Sequence, residues 1–101
     1  MSPGLGLIVL YTLRLDACRE FYASLGLEVV FERHGGGPEH YAATLDNGTV
    51  LELYPARSDR TTTGYLRLGL VLTSSPLAVG RHRLTDPDGR AVMVEVVVAP
   101  G

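Results

Sequence analysis

The residues best suited to chemistry lie in one stretch, Gly37-Pro-Glu-His-Tyr-Ala-Ala-Thr-Leu-Asp-Asn-Gly-Thr-Val-Leu-Glu-Leu-Tyr-Pro55. It reads as two β-strands around Asn47-Gly48, a pair that tolerates positive φ at both central positions of a type I′ turn. Glu52 is a carboxylate inside an otherwise apolar strand, Val50 to Tyr54. A two-residue loop pairs Leu45 with Val50, Ala43 with Glu52 and Tyr41 with Tyr54. One face then carries Tyr41, Ala43, Leu45, Val50, Glu52 and Tyr54, and the other His40, Ala42, Thr44, Leu51 and Leu53. The two tyrosines could stack on a flat molecule and offer hydroxyls. The acid could accept a hydrogen bond or act as a general base. The plain alternative is cross-strand aromatic packing beside a rim carboxylate, solvated or paired with an arginine such as Arg67. A slip of one residue would put His40 on the Glu52 face instead.

Other reactive side chains are less promising. Tyr11 joins the aromatic set if the first strand turns that face the same way. His34, His40 and His82 show no metal-ligand spacing among themselves. Cys18 is a small core residue with no histidine near it in sequence to act as its base. Arg81 and Arg83 could hold an anionic group, although a solvated strand face is the ordinary place for arginine. Asp86 and Asp88 belong to a turn, with Pro87 set for its second position and Gly89 able to take φ > 0. The glycine run after His34 joins two strands rather than opening a helix, so it reads as a mobile loop and not as a phosphate cradle.

The elements that position these groups can be read in order. Leu5 to Leu15 is a strand, apolar on both faces. Asp16 reads as the N-cap of a helix in which Cys18, Phe21, Tyr22 and Leu25 form one apolar stripe, and Gly26 ends it. Leu27 to Arg33 is a second strand, and the hairpin follows. A polar linker covers 56–64. Tyr65 to Thr73, Arg81 to Thr85 and Ala91 to Val98 are strands. Ser74 to Gly80 is too broken for a helix, and the tail 99–101 is loose. The fold class is therefore α+β. A complete βαβββ module over 1–55 is followed by a reduced one over 65–101 that lacks its helix. Together they form a curved mixed sheet whose free face carries Glu52.

Composition bounds the rest. A chain of 101 residues fits one domain with a modest core. The net charge is −2 with both signs dispersed, which gives no basic block for nucleic acid. All nine basic residues are arginine, which excludes Schiff-base chemistry on a lysine. The single cysteine excludes an internal disulfide and a cysteine zinc site. No apolar run approaches the roughly 18 residues of a membrane span. The first residues lack the charge of a signal peptide, so a cytoplasmic location is expected.

Three segments together resemble the vicinal oxygen chelate superfamily of glyoxalases, dioxygenases and antibiotic-resistance proteins. They are Asp16-Ala-Cys-Arg-Glu-Phe-Tyr-Ala-Ser-Leu-Gly-Leu27, Gly48-Thr-Val-Leu-Glu-Leu-Tyr-Pro55 and Asp86-Pro-Asp-Gly89. The resemblance implies paired βαβββ modules curled into a cup, often completed by a second chain. It also implies a metal held by a His, Gln or Glu on the first strand of each module and a Glu on the last. Those positions fall near Val9, on Glu52, near Leu66 or Arg67, and on Met93, with Glu95 two residues late. Only Glu52 carries a ligand side chain, so no metal or other cofactor is expected there.

The expectation is a metal-free cup for a small organic molecule, lined by Glu52, Tyr41, Tyr54, Tyr11, Arg67 and Met93, in a homodimer that touches neither nucleic acid nor membrane. Two alternatives stay open. One is a divalent-metal lyase, isomerase or dioxygenase whose further ligands come from elsewhere or from a partner chain, with Glu52 as a ligand. The other is a structural or regulatory module whose cup is filled by its own side chains.

Overall fold

In the computed structural model, residues 2–99 are described; of the tail expected to be loose, Pro100 and Gly101 lie outside them, as does Met1 at the other end. Seven strands and one helix follow the expected order: β1 (Leu7–Thr12), α1 (Leu15–Ser24), β2 (Val30–Glu32), β3 (His40–Thr44), β4 (Val50–Pro55), β5 (Arg67–Leu72), β6 (Gly80–Thr85) and β7 (Ala91–Val96). Between β4 and β5 the polar connection makes one 3₁₀ turn, Asp59–Thr61, closed by a capping box between Ser58 and Thr61.

The strands form two mixed sheets, ordered β1-β4-β3-β2 and β5-β7-β6. In each sheet the first strand runs parallel to the last, and the strand before the last pairs with it antiparallel. The second sheet therefore repeats the first without the helix and without a counterpart of β2. This is the α+β architecture of paired modules that the sequence predicts.

Alternation explains the core. In β5, Leu68, Leu70 and Leu72 are buried, whereas Arg67, Gly69 and Val71 are exposed. The stripe on α1 buries Cys18, Tyr22 and Leu25. These residues join Leu10, Leu51 and Leu53 of the first sheet and Val92, Val94 and Val96 of the second in one cluster. Each such aliphatic side chain contributes roughly 1.5–3 kcal/mol over an exposed one. Helix α1 thus serves both sheets.

Polar anchors join the halves. The Tyr22 hydroxyl donates to Asp86 Oδ2 at 2.7 Å. Arg90, fully buried, donates to the same oxygen at 2.9 Å and to the Tyr11 carbonyl at 3.0 Å, and forms an ion pair with Asp88 Oδ2 at 3.0 Å. Asp86 Oδ1 accepts from the backbone N–H groups of Asp88 and Arg90, which closes the turn before β7. At the far end, Asp46 Oδ2 accepts from the backbone N–H and the hydroxyl of Thr73.

Two local expectations are corrected. The N-cap of α1 is Arg14 rather than Asp16, which lies in the first turn. Thr12 turns the chain one step earlier, because its hydroxyl accepts from the Arg14 N–H at 2.9 Å. Asp16 still meets the positive end of the helix dipole.

The second correction concerns the hairpin. Leu45 N–H donates to the Thr49 carbonyl at 2.8 Å and Gly48 N–H to the Leu45 carbonyl at 2.9 Å, so the loop has three residues, not two. Gly48 has φ 90° and Asn47 is not left-handed, which is a type I turn followed by a glycine bulge. Asn47 instead accepts from the Thr49 N–H through its side chain. The register moves by one: Ala42 faces Glu52, Ala43 faces Leu51 and Tyr41 faces Leu53.

Candidate functional site

That shift changes which side chains accompany Glu52. On β4, Leu51 and Leu53 are buried against the core, while Val50, Glu52 and Tyr54 are directed to the other face. Parallel pairing aligns Val9 with Glu52 and Tyr11 with Tyr54. Antiparallel pairing aligns Val30 with Ala42 and Glu32 with His40. One row across the open face therefore reads Val9, Glu52, Ala42, Val30, and the next Tyr11, Tyr54, His40, Glu32.

Within the second row, the rings of His40 and Tyr54 stack with centroids 4.2 Å apart and an interplanar angle of 10°. Tyr11 lies 5.8 Å from Tyr54, tilted. His40 is 1% exposed, although it stands on an open face. Its Nδ1 lies 3.2 Å from the Pro38 carbonyl, and its Nε2 lies 3.2 Å from Glu32 Oε1, 3.4 Å from the Tyr54 hydroxyl and 3.7 Å from Glu52 Oε2. Burial and the adjacent Glu52 carboxylate push the Tyr54 phenol above its ordinary pKa, so the group stays a hydroxyl.

A groove of about 440 Å³ lies over this face, lined by Val30, Ala42 and Val50 together with Glu28, Glu32 and Glu52. A second hollow of about 460 Å³ is walled by Tyr11, Tyr54, Pro38 and Arg57. The combined surface is aromatic at one end and acidic at the other.

The remaining sequence candidates lie elsewhere. Tyr41 is on the helix side of the sheet, edge-on to Phe31 at 5.8 Å and under the Arg19 guanidinium at 5.5 Å. Met93 belongs to the second sheet and lines a separate groove of about 420 Å³ with Arg81, His82 and Glu95. Arg67, also on the second sheet, is exposed and has no ion pair with Glu52. The protein therefore brings Glu52, Tyr54 and Tyr11 together, and leaves Tyr41, Arg67 and Met93 apart from them.

The buried thiol of Cys18 has a raised pKa, chiefly from desolvation, which makes it a poor nucleophile. Asp86 and Asp88 hold the turn and the buried arginine.

Sequence reading did not gather Glu32, His34 and His40, whose ligand atoms lie within 4.8 Å of one another. Glu32 and His34 alternate in sequence, so a strand extended past Glu32 carries both on one face. Placing His40 opposite Glu32 requires the correct span of the loop between them. The four metal positions implied by the resemblance do not converge. Val9 is an alkyl group beside Glu52, and Arg67 and Met93 are in the other sheet. An alkyl group, an arginine and a thioether beside one carboxylate do not fit a divalent metal.

No protein-family profile and no curated protein matches the chain. Solved structures do. The oxidase ChaP-H2 is similar over 99% of this chain and 96% of its own, with a TM-score of 0.60 and 16% identity. A virulence protein from Salmonella typhimurium is similar over 96% and 99%, with a TM-score of 0.60 and 14% identity. A lactoylglutathione lyase from Agrobacterium tumefaciens is similar over 93% of each chain, with a TM-score of 0.53 and 18% identity. The chain has the vicinal oxygen chelate fold. At such identities the likeness concerns the fold, and activity must be argued from the site. Among the described residues, no helix is long and apolar enough to cross a membrane.

Proposed function

We propose that this protein binds a small organic molecule on the open face of its first sheet, without a metal at the four positions the fold resemblance implies. The observation that carries this reading is the placement of Tyr11, Tyr54 and Glu52 on one face of the sheet, where Glu52 lines a groove of about 440 Å³ and the two tyrosines line a hollow of about 460 Å³. The tyrosines supply stacking area, and Glu52 takes a polar group. With Glu28 and Glu32 on the same floor, the favoured ligand carries a protonated amine or another strong donor. A homodimer belongs to the same proposal. Met93 and Arg67 would line this site only where a second copy lays its smaller sheet over it.

The test is a ligand-induced rise in melting temperature across aromatic amines, matched neutral aromatics and simple aliphatic amines. Aromatic amines are expected to stabilise the protein, with the effect lost in Glu52→Gln and Tyr54→Ala. A flat response over the whole panel, or one that both variants retain, overturns the reading. Light scattering reports the oligomeric state, and a monomer at binding concentrations removes the dimer from it.

A further inference from the structure

We infer that Glu32, His34 and His40 form a binding site for a divalent transition-metal ion of the zinc or nickel type, at the β2–β3 edge of the first sheet. The site is distinct from the four implied positions and does not depend on the organic ligand proposed above.

Spacing is the first argument. Ligands about 2.0–2.1 Å from a tetrahedral ion lie about 3.3 Å from each other. Glu32 Oε1 is 3.2 Å from His40 Nε2 and 3.5 Å from His34 Nε2. The three donor atoms thus already stand near the separations of a tetrahedral shell, and all lie within 4.8 Å.

The hydrogen bonds of His40 are the second argument. A carbonyl oxygen only accepts, so the contact at 3.2 Å with Pro38 places the proton of a neutral ring on Nδ1. Nε2 of that ring then offers a lone pair among the Glu32 carboxylate at 3.2 Å, the Tyr54 hydroxyl at 3.4 Å, which donates to it, and Glu52 Oε2 at 3.7 Å. A cation between this ring nitrogen and the two carboxylates would be met by donors that are already in place, in a ring that is 1% exposed. An Nδ1–H held by a backbone carbonyl is also the usual preparation of a histidine that binds metal through Nε2.

Access is open on the side of His34. His34 has a side chain 75% exposed, and three glycines follow it, so it can close on an ion held by the two other ligands. Two imidazoles and a carboxylate, with no thiolate, suit zinc, nickel or copper rather than calcium or magnesium.

Zinc chloride titrated into the full chain by calorimetry tests the site, in parallel with His34→Ala, Glu32→Gln and, as a control, His82→Ala. One zinc per chain is expected, at least tenfold weaker in the first two variants and unchanged in the third. Because a His40 substitution opens a buried position, His40 is followed by nitrogen NMR, in which Nε2 is expected to shift on zinc addition while Nδ1 keeps its proton. The inference is overturned by the absence of saturable binding, by undiminished binding in His34→Ala and Glu32→Gln, or by an unmoved His40 Nε2 resonance.

Discussion

Ala42, one residue before the partner that a two-residue loop would select, lies opposite Glu52 across β3 and β4. The extra loop residue carries His40 onto the Glu52 face and Tyr41 off it. Gly48 holds that loop with φ 90° and open space around its Cα. Gly48→Ala is therefore expected to cost roughly 1–2 kcal/mol through backbone strain alone, measured by urea unfolding. Cross-strand proton NOEs between Ala42 and Glu52 check the register, and NOEs from Ala43 to Glu52 in their place would contradict it.

Tyr54 supports His40 by stacking more than by its hydroxyl, which lies 3.4 Å from Nε2. Tyr54→Phe is expected to change stability by less than about 1 kcal/mol, whereas Tyr54→Ala loses the stack, worth about 0.5–1.5 kcal/mol, together with its buried area. Equilibrium unfolding of the two variants side by side decides the matter.

Arg90 and Asp86 form a fully buried ion pair. Removing one partner leaves an uncompensated charge, so Arg90→Met is expected to cost about 3–5 kcal/mol. Tyr22→Phe removes one hydrogen bond to a carboxylate that Arg90 still satisfies, and is expected to cost about 1.5–3 kcal/mol. Denaturant melts that reverse this order would show that the arginine is not the centre of the network.

Gly26 ends α1 with φ 108° where the chain passes closest to the β5–β6 connection. A Cβ there would stand 2.6 Å from the Ser74 carbonyl and 2.9 Å from Ser75 Cα, both backbone. Gly26→Ala is expected to lose more than the roughly 1–3 kcal/mol of a strained backbone, because neither neighbour can turn aside. A thermal melt equal to that of the parent protein would refute the close approach.

Asp88 sets an acid limit to stability. Burial alone would raise its pKa, but the nearby Thr12 hydroxyl, the hydrogen bond from Arg14 and the charge of Arg90 outweigh it and leave the carboxyl below its ordinary value. The folded state then releases the proton more readily than the unfolded state does. The resulting stabilisation is complete above the ordinary carboxylate pKa and is lost as pH falls through the depressed one. Urea midpoints are expected to decline less steeply with acid in Asp88→Asn than in the parent, and parallel declines would show that Asp88 contributes nothing.

Much of this architecture is legible in the residues themselves. The order of the elements follows from the stripe on α1, from alternation in β5 and from the turns at Gly26 and Asp86 to Gly89. The face of Glu52 also follows, because Leu51 and Leu53 must be buried. What the sequence does not carry is the loop length at Asn47-Gly48. Both a two- and a three-residue loop accept that pair, and the choice depends on Thr49, whose hydroxyl donates to the Leu5 carbonyl at 2.6 Å, and on Asp46, held by Thr73. Arg90 looks like a surface residue after a turn until the second sheet is folded over Tyr22. Both omissions turn on contacts more than twenty residues away, with Leu5 and Thr73 for the loop and with Tyr11 and Gly64 for Arg90, which local patterns do not report.

The sharing of α1 has a further consequence. A fragment ending at Pro55 would keep every strand of the larger sheet yet leave the Tyr22 hydroxyl and one flank of the helix stranded. The smaller sheet by itself would have Arg90 paired with its two aspartates but nothing laid across its leucines and valines. Although the chain is built as a near-duplication, neither portion is a free-standing unit, and a cut or a permuted end in the connecting segment would have to be judged by whether both portions still close on the same helix.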